Sequence, residues 1–338
     1  MNEADVSEEA AVLAFLADPH SYPGQPEHVE AIETHMSRVF LTGDRVYKLK
    51  KPIRLSFLDY RRLDSRRQSC ERELQLNRRL APGVYLEILP LVRRGDGGFA
   101  LGGEEKPVEW VLVMRRLSTE RLLHEAIRKG EIVPPDIEAI CDTLGPFYAE
   151  AAPIHCPESE FRESWRTLIE LVEQSLTEPQ FALPGDEVRK VTQSLSSFVE
   201  REWHLIASRL SGGRIVDGHG DLRPEHIHLG PPVRVIDRLE FDDRLRRTDP
   251  FDELSFLGLE CGMLGAQWIG ERLIDGVSIW LNDRPPGELL RFYRCYRAAL
   301  RARLTIEHLR DPAPRTPERW PRLARAYLRV AAQHALQS

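Results

Sequence analysis

From Ser7 to Leu16 the apolar residues recur at helical spacing, which predicts a short helix with Ser7 as its N-cap and carboxylates in the first turn. A loop rich in proline and histidine follows, from Asp18 to Glu27. Then the period shortens. Val29–Thr34, Val39–Leu41 and Val46–Leu49 read as three consecutive antiparallel strands, the last two joined by a turn at Thr42-Gly43-Asp44. Helical spacing returns over Leu63–Leu80, with Leu63, Cys70 and Leu74 on one stripe and Leu76 and Leu80 beside it. Val84–Val92 and Glu109–Met114 read as strands, separated by a glycine-rich hairpin region from Gly95 to Gly103. The pattern predicts a five-stranded antiparallel sheet carrying one helix.

After Arg116 the pattern turns helical, with amphipathic segments at Pro135–Ala151, Phe161–Leu176 and Asp186–Leu210. Between Ile215 and Phe241 it breaks into the short apolar runs Ile227-His228-Leu229 and Val233–Ile236. Helices resume near Pro250 and include Glu288–His308 and Pro317–Leu336. There is no internal repeat. The expected class is α+β with two lobes: an N-terminal helix and loop over 1–27, a sheet-bearing lobe over 28–116 and a mainly helical lobe over 117–338.

A chain of 338 residues is long enough for two packed cores. Its net charge of -6 gives no overall basic field, which argues against a nucleic-acid partner. Local pairs such as Arg61-Arg62, Arg66-Arg67 and Arg78-Arg79 read as solvated helix faces. The five cysteines form no C-x-x-C pair, which argues against a zinc site or disulfide framework and suits a reducing compartment. The acidic start Met1–Asp5 lacks the features of an export signal, and no apolar run is long enough to cross a bilayer. The expectation is a cytoplasmic protein without a membrane partner.

The chemistry concentrates in Val216-Asp217-Gly218-His219-Gly220-Asp221-Leu222-Arg223-Pro224-Glu225-His226, which leads through Val233–Ile236 to Asp237. A carboxylate on a short loop, followed by another at a strand end, suits metal-assisted phosphoryl transfer. One takes the acceptor's proton and the other holds the magnesium that bridges the phosphates.

The stretch from His219-Gly220-Asp221 through His226 resembles the H-G-D-x-x-x-x-N loop of aminoglycoside phosphotransferases and choline kinases, relatives of the protein kinases. Val235–Phe241 is similar to their I-D-x-x-E segment, and Asp249-Pro250 with Asp252-Glu253-Leu254 to a later segment that braces the site. The resemblance implies a protein kinase-like fold and an ATP-dependent transfer to a hydroxyl of a small molecule: a sugar, amino sugar or amino alcohol. It implies Asp221 as catalytic base beside His219, and Asp237 as the principal ligand of a Mg2+ cofactor. It also implies a strand lysine paired with a helix glutamate. Alternation places Lys48 and Lys50 on one strand face, opposite Tyr47 and Leu49. Lys48 matches the family position, Lys50 is the alternative, and Lys51 before Pro52 reads as a solvated strand end. Glu73 and Glu71 compete for the helix position; Glu73 borders the apolar stripe, and its alternative fate is an exposed ion pair with an arginine. The backbone near Met114 to Arg116 would be the hinge that meets the adenine.

Two departures stand out. The first strand turn, Glu33-Thr34-His35-Met36-Ser37-Arg38, has no glycine, so the amides there with the Thr34 and Ser37 hydroxyls either cover phosphates or form a plain polar turn. His226 stands where the family carries a magnesium-binding asparagine, although magnesium prefers oxygen donors. Either His226 uses a ring N–H to brace Asp221 or a phosphate, or the second metal is held otherwise, with Glu240 placed to supply that oxygen. The third alternative is that His226 marks a nucleotide-binding pseudokinase that acts through protein partners. Glu240, Asp242 and Asp243 would favour a cationic acceptor, or Asp242-Asp243 is a solvated turn. Only about a dozen residues separate Asp237 from Asp249, too few for a regulated protein-kinase activation segment. The arrangement as a whole resembles the kinase-like half of bifunctional aminoglycoside phosphotransferase/ATP-binding proteins. The P-loop sequence G-x-x-x-x-G-K-[ST] of their other half does not occur, which suggests a stand-alone version.

Overall fold

The computed structural model describes residues 3–55, 58–311, 314 and 316–335, with side chains from residue 8 onward. Its elements in chain order begin with helix α1 (Glu3–Ala17) and strands β1 (Glu30–Glu33), β2 (Ser37–Leu41) and β3 (Arg45–Lys50). A short pair, β4 (Arg54–Leu55) and β5 (Leu58–Asp59), leads to α2 (Leu63–Arg78). Then come β6 (Tyr85–Arg93), β7 (Phe99–Leu101), β8 (Pro107–Arg115) and α3 (Leu123–Lys129). The helices α4 (Pro134–Ala149), α5 (Glu158–Leu176), α6 (Gly185–Arg201) and α7 (Trp203–Ser211) come next. Four two-residue strands, β9 (Val216–Asp217), β10 (Ile227–His228), β11 (Arg234–Val235) and β12 (Arg247–Thr248), precede α8 (Pro250–Met263). The chain closes with α9 (Trp268–Leu281), α10 (Gly287–Ile306) and α11 (Arg319–His334). The end expected for the last helix, Leu336, lies outside the described residues.

Two compact units result: residues 1–125 with 225–243, and residues 126–224 with 244–338. In the first, six strands among the described residues form an antiparallel sheet in the order β1-β2-β3-β8-β6-β7. The sequence predicts five. The sixth, β7, is three residues long and sits inside the glycine-rich stretch, where the pattern is too short to show alternation. Helix α1 also starts before Ser7, so Ser7 lies within the helix and does not cap it.

Period-two alternation decides what covers each sheet face. Phe40, Tyr47, Leu49, Leu91, Val111 and Val113 pack with Val12 and Leu16 of α1 and with Tyr22, whose ring centroid is 4.5 Å from that of Tyr47. The opposite face carries Leu112 and Tyr85, packed against Cys70 of α2 together with Ala81 and Val84. Lys48 and Lys50 point to this second face. The hairpin β10–β11 belongs to the same unit, with Ile227 paired to Val235.

The second unit is helical. Helices α8, α9, α10 and α11 pack on one another, and α4 lies against α9. The helix expected over Asp186–Leu210 is broken at Glu202 (φ -110°, ψ 19°) into α6 and α7. A strand pair, β9 with β12, places Val216 opposite Thr248 just before the His219-Gly220-Asp221 turn. No helix among the described residues is long and apolar enough to cross a membrane.

Candidate functional site

In the first unit the residues singled out from the sequence converge on one buried carboxylate. Glu73 is 1% exposed and accepts from both strand lysines: Lys48 Nζ lies 2.7 Å from Oε1 and Lys50 Nζ 2.5 Å from Oε2. Both alternatives from the sequence therefore reach the same glutamate, as same-face residues two apart must. Glu71 takes the other fate and forms an exposed pair with Arg67 at 2.9 Å, one helical turn away. Lys51 binds Glu33 at 2.6 Å and the Thr34 carbonyl at 3.1 Å.

Lys48 also reaches Asp237 Oδ1 at 3.2 Å. Asp237 adopts φ +63°, a left-handed conformation that aspartate tolerates better than most residues. Its neighbours hold it there. The Asp237 amide donates to Tyr85 Oη at 3.0 Å, the Ile236 amide to the His226 carbonyl at 2.9 Å, and the Arg238 amide to Asn77 Oδ1 at 2.8 Å. The carboxylate is 47% exposed, with Oδ2 3.5 Å from His226 Nε2. The Lys48 ammonium holds Asp237 well below the usual carboxylate range, against burial, which alone would raise it. For Lys48 burial disfavours the charge, but Asp237 and Glu73 outweigh it and raise its pKa well above the ordinary lysine value.

Glu240, the residue expected to supply an oxygen to the metal, lies inside the first unit. Its carboxylate is buried, and Oε1 accepts from Lys50 at 2.5 Å, from Ser69 at 3.2 Å and from Tyr60 at 3.3 Å. All three contacts fall on Oε1, which is thus engaged within its own unit. No three histidine, cysteine or carboxylate side chains gather as a metal cage anywhere among the described residues. Asp243 instead pairs with Arg72 at 3.2 Å.

The turn after β1 spends its hydroxyl internally. Thr34 Oγ1 donates to the Ser37 carbonyl and accepts from the Ser37 amide, both at 3.0 Å, and Ser37 itself is buried. Thr34 is exposed and Ser37 is buried, so only Thr34 presents its side chain at the surface. At the expected hinge, the Arg115 amide binds the Val84 carbonyl at 2.8 Å and the Arg116 amide the Asp44 carbonyl at 2.9 Å. Arg116 Nη1 binds the Thr42 carbonyl at 2.9 Å, and Met114 packs beside Cys70 and Leu112. The Arg115 and Arg116 amides are thus taken up by neighbouring carbonyls.

In the second unit, Asp221 sits in a turn built around Glu253. This buried carboxylate accepts from the His219 amide at 2.9 Å, from the Gly220 amide and from Tyr148 Oη at 2.8 Å. Burial raises the Glu253 pKa, and these donors oppose the rise. Glycine is required next to it: a Cβ at Gly218 would lie 2.6 Å from Glu253 Oε2 and 2.5 Å from Thr248 Cγ2, and Gly220 has φ +92°. His219 is fully buried, and its Nδ1 faces the Asp221 amide at 3.3 Å. Asp221 Oδ2 accepts from Arg223 Nε at 3.0 Å. Helix α8 holds Glu253 in place, capped by Asp249, which accepts from the Phe251 amide at 2.9 Å and from Arg209 at 2.5 Å. Asp252 is locked to Arg297 at 2.6 Å.

The sequence marks the Asp249–Leu254 segment as a brace without showing which carboxylate carries it. It gives no sign of Tyr60, Ser69 or Asn77, polar residues whose partners are far away in the chain.

No protein-family model matches the chain. An uncharacterized protein of Mycobacterium tuberculosis strain H37Rv is 32% identical over 321 residues, covering 94% of this chain and 61% of that protein. An uncharacterized protein of Mycobacterium bovis matches over the same extent. The chain thus spans about 61% of the length of the curated relatives it matches. Among solved structures, a choline/ethanolamine kinase family protein from Mesorhizobium loti superposes with TM-score 0.54 at 16% identity, over 96% of this chain and 94% of that one. The GDP complex of aminoglycoside 2'-phosphotransferase-IIIa gives TM-score 0.53 at 15% identity, over 96% and 99%. Choline kinase from Cryptosporidium parvum gives 0.56 at 9%, over 97% and 95%. The chain has the aminoglycoside phosphotransferase and choline kinase fold. In this kinase fold, β3 carries Lys48, α2 carries Glu73, and the turn before β10 carries Asp221.

Proposed function

We propose that the chain is a small-molecule kinase that transfers the γ-phosphoryl group of ATP to a hydroxyl of a sugar, amino sugar or amino alcohol. The observation that carries this reading is Lys48, held at 2.7 Å from Glu73 and 3.2 Å from Asp237. A strand ammonium fixed between a helix glutamate and a half-exposed, ionised aspartate is the arrangement that phosphate and its metal require. Magnesium keeps most of its waters and takes one or two carboxylates plus phosphate oxygens, and Asp237 fits that demand. His226 does not, since imidazole is a poor magnesium ligand, and Glu240 is engaged elsewhere. When bound, magnesium supplies neutralisation of the charge on the β- and γ-phosphates.

In this reading Lys48 grips the phosphates. The adenine's hydrogen bonds then fall to backbone groups other than the Arg115 and Arg116 amides. Asp221 orients the acceptor hydroxyl and takes its proton while the oxygen forms the new O–P bond. The P–O bond to the β-phosphate breaks, and ADP leaves. A related fold supports the chemical class: a thermostable mutant of aminoglycoside phosphotransferase APH(4)-Ia is known in a ternary complex with AMP-PNP and hygromycin B (TM-score 0.53, 11% identity).

The test is an ADP-release screen across sugars, amino sugars and amino alcohols, with wild type and Asp221→Ala in parallel. The expected outcome is turnover with at least one acceptor and a fall of roughly 10²–10⁴-fold in Asp221→Ala, the usual worth of a general base. Turnover indifferent to Asp221→Ala contradicts the assignment. A second reading, a nucleotide-binding pseudokinase acting through protein partners, is favoured by His226 in the asparagine position. It requires nucleotide binding without turnover across the whole panel, and no effect of His226→Asn.

A further inference from the structure

We infer that Lys50 is a positioning residue that removes Glu240 from the metal site, leaving Asp237 as the carboxylate that serves magnesium. This deepens the kinase reading and rests on it.

Alternation on β3 puts Lys48 and Lys50 on one face. Lys48 alone would answer the needs of a phosphate-binding strand. Two residues on, Lys50 places a second ammonium on the same face, only 2% exposed. Its two partners are Glu73 Oε2 and Glu240 Oε1, both at 2.5 Å. The result is an unbroken chain of alternating charge: Asp237, Lys48, Glu73, Lys50, Glu240. The Tyr60 and Ser69 hydroxyls end it: they are hydrogen-bonded to each other at 2.6 Å and lie 3.3 and 3.2 Å from Glu240 Oε1, to which one of them donates.

Each link has a consequence. With Lys50 present, each Glu73 oxygen has its own cation, so Lys48 is not the only charge answering a fully buried carboxylate. Glu240, three residues after Asp237, is a carboxylate placed by sequence to become a second metal ligand. The Lys50 ammonium and two hydroxyls draw it into the interior instead. Without Lys50, three carboxylates would compete for Lys48, and Glu240 would be driven toward the nearest remaining cation. The Lys48 charge would then be spent on protein carboxylates and less available to phosphate. Lys50 touches neither nucleotide nor metal in this scheme. It acts through Glu73 and Glu240.

The test measures binding of AMP-PNP by calorimetry at a series of Mg2+ concentrations, using the full chain. The variants are Asp237→Asn, Glu240→Gln, Lys50→Met and the double variant Lys50→Met/Glu240→Gln. Asp237→Asn is expected to weaken Mg2+-supported binding by about tenfold or more, as loss of the metal's carboxylate requires. Glu240→Gln is expected to shift the Mg2+ requirement by no more than about threefold, since it removes no metal ligand. Lys50→Met is expected to weaken nucleotide binding by about tenfold, and adding Glu240→Gln to restore most of that loss. The Mg2+ dependence separates the two roles: a residue that merely supports the fold would change binding alike at every Mg2+ concentration, loss and rescue included.

The inference is overturned if Glu240→Gln loses Mg2+ dependence as Asp237→Asn does. It is also overturned if the single and double Lys50 variants bind equally weakly. Should Lys50→Met fail to fold, the comparison of Glu240→Gln with Asp237→Asn decides alone. Absence of Mg2+-dependent binding in wild type would contradict the kinase reading itself. Wild-type binding with the wrong response of Glu240→Gln would contradict only the role of Lys50.

Discussion

Glu73 shows how much a single side chain carries in this unit. It is buried and paired to two lysines, so neutralising it leaves two ammonium groups facing one amide. Breaking a buried ion pair by removing one partner costs about 3–5 kcal/mol. Glu73→Gln should therefore destabilise the chain by about 3 kcal/mol or more in denaturant unfolding, whereas Glu71→Gln, in an exposed pair one turn away, should stay within about 0.5 kcal/mol. Equal effects would mean that the buried network contributes little. The placement of Lys48 and Lys50 was legible because strand alternation is a strict rule. The buried stripe of α2 was less so. It consists of Arg66, Ser69, Cys70, Glu73, Leu76 and Asn77, mostly polar residues, and a search for apolar periodicity passes over them. The partners of Glu240 were not legible at all, since Lys50 lies 190 residues away in the chain.

Among the elements, the approach of α8 to α9 depends on a pair of glycines. A Cβ at Gly258 would sit 2.7 Å from the Gly270 Cα, a clash with backbone that no rotamer change relieves. Gly258→Ala should lower stability by about 1–3 kcal/mol through overpacking. Gly287→Ala, at the start of α10 with nothing within 4 Å of the added carbon, should not lower it. Thermal melts of the two variants check this directly, and a stable Gly258→Ala would contradict the observed packing. The sheet-then-helix order was readable from the change of period near residue 116. The break at Glu202 was not, because Phe198, Val199, Trp203 and Ile206 are all buried and the apolar pattern runs through it. The return of residues 225–243 to the first unit depends on long-range contacts that no local pattern displays.

For the whole molecule, the carboxylates held in ion pairs and buried networks divide by direction. Asp237 and Glu240 are held below their ordinary range by lysines, while burial pushes Glu109, Asp249 and Glu253 up. A carboxylate with a lowered folded pKa adds stability above its unfolded pKa, near 4, and that stability is lost as pH falls. One with a raised pKa acts in the opposite sense, stabilising most below its unfolded value. The melting temperature of wild type should therefore fall as pH drops from about 5 to 3, and Asp237→Asn should fall less steeply. Parallel curves would show that Asp237 does not carry the lowered pKa. The same carboxylate is at the centre of the functional reading, since its ionisation is what a metal and a strand lysine both need.

Phosphorus-31 resonance of a mixture of the chain, ATP, Mg2+ and a hydroxylated acceptor identified in the screen tracks the γ-phosphoryl group itself. The expected result is loss of the γ resonance matched by a new phosphomonoester in wild type, and neither in Asp221→Ala. Inorganic phosphate as the sole product, or the same phosphomonoester at the same rate in Asp221→Ala, would contradict the assignment of Asp221 and of phosphoryl transfer to this loop.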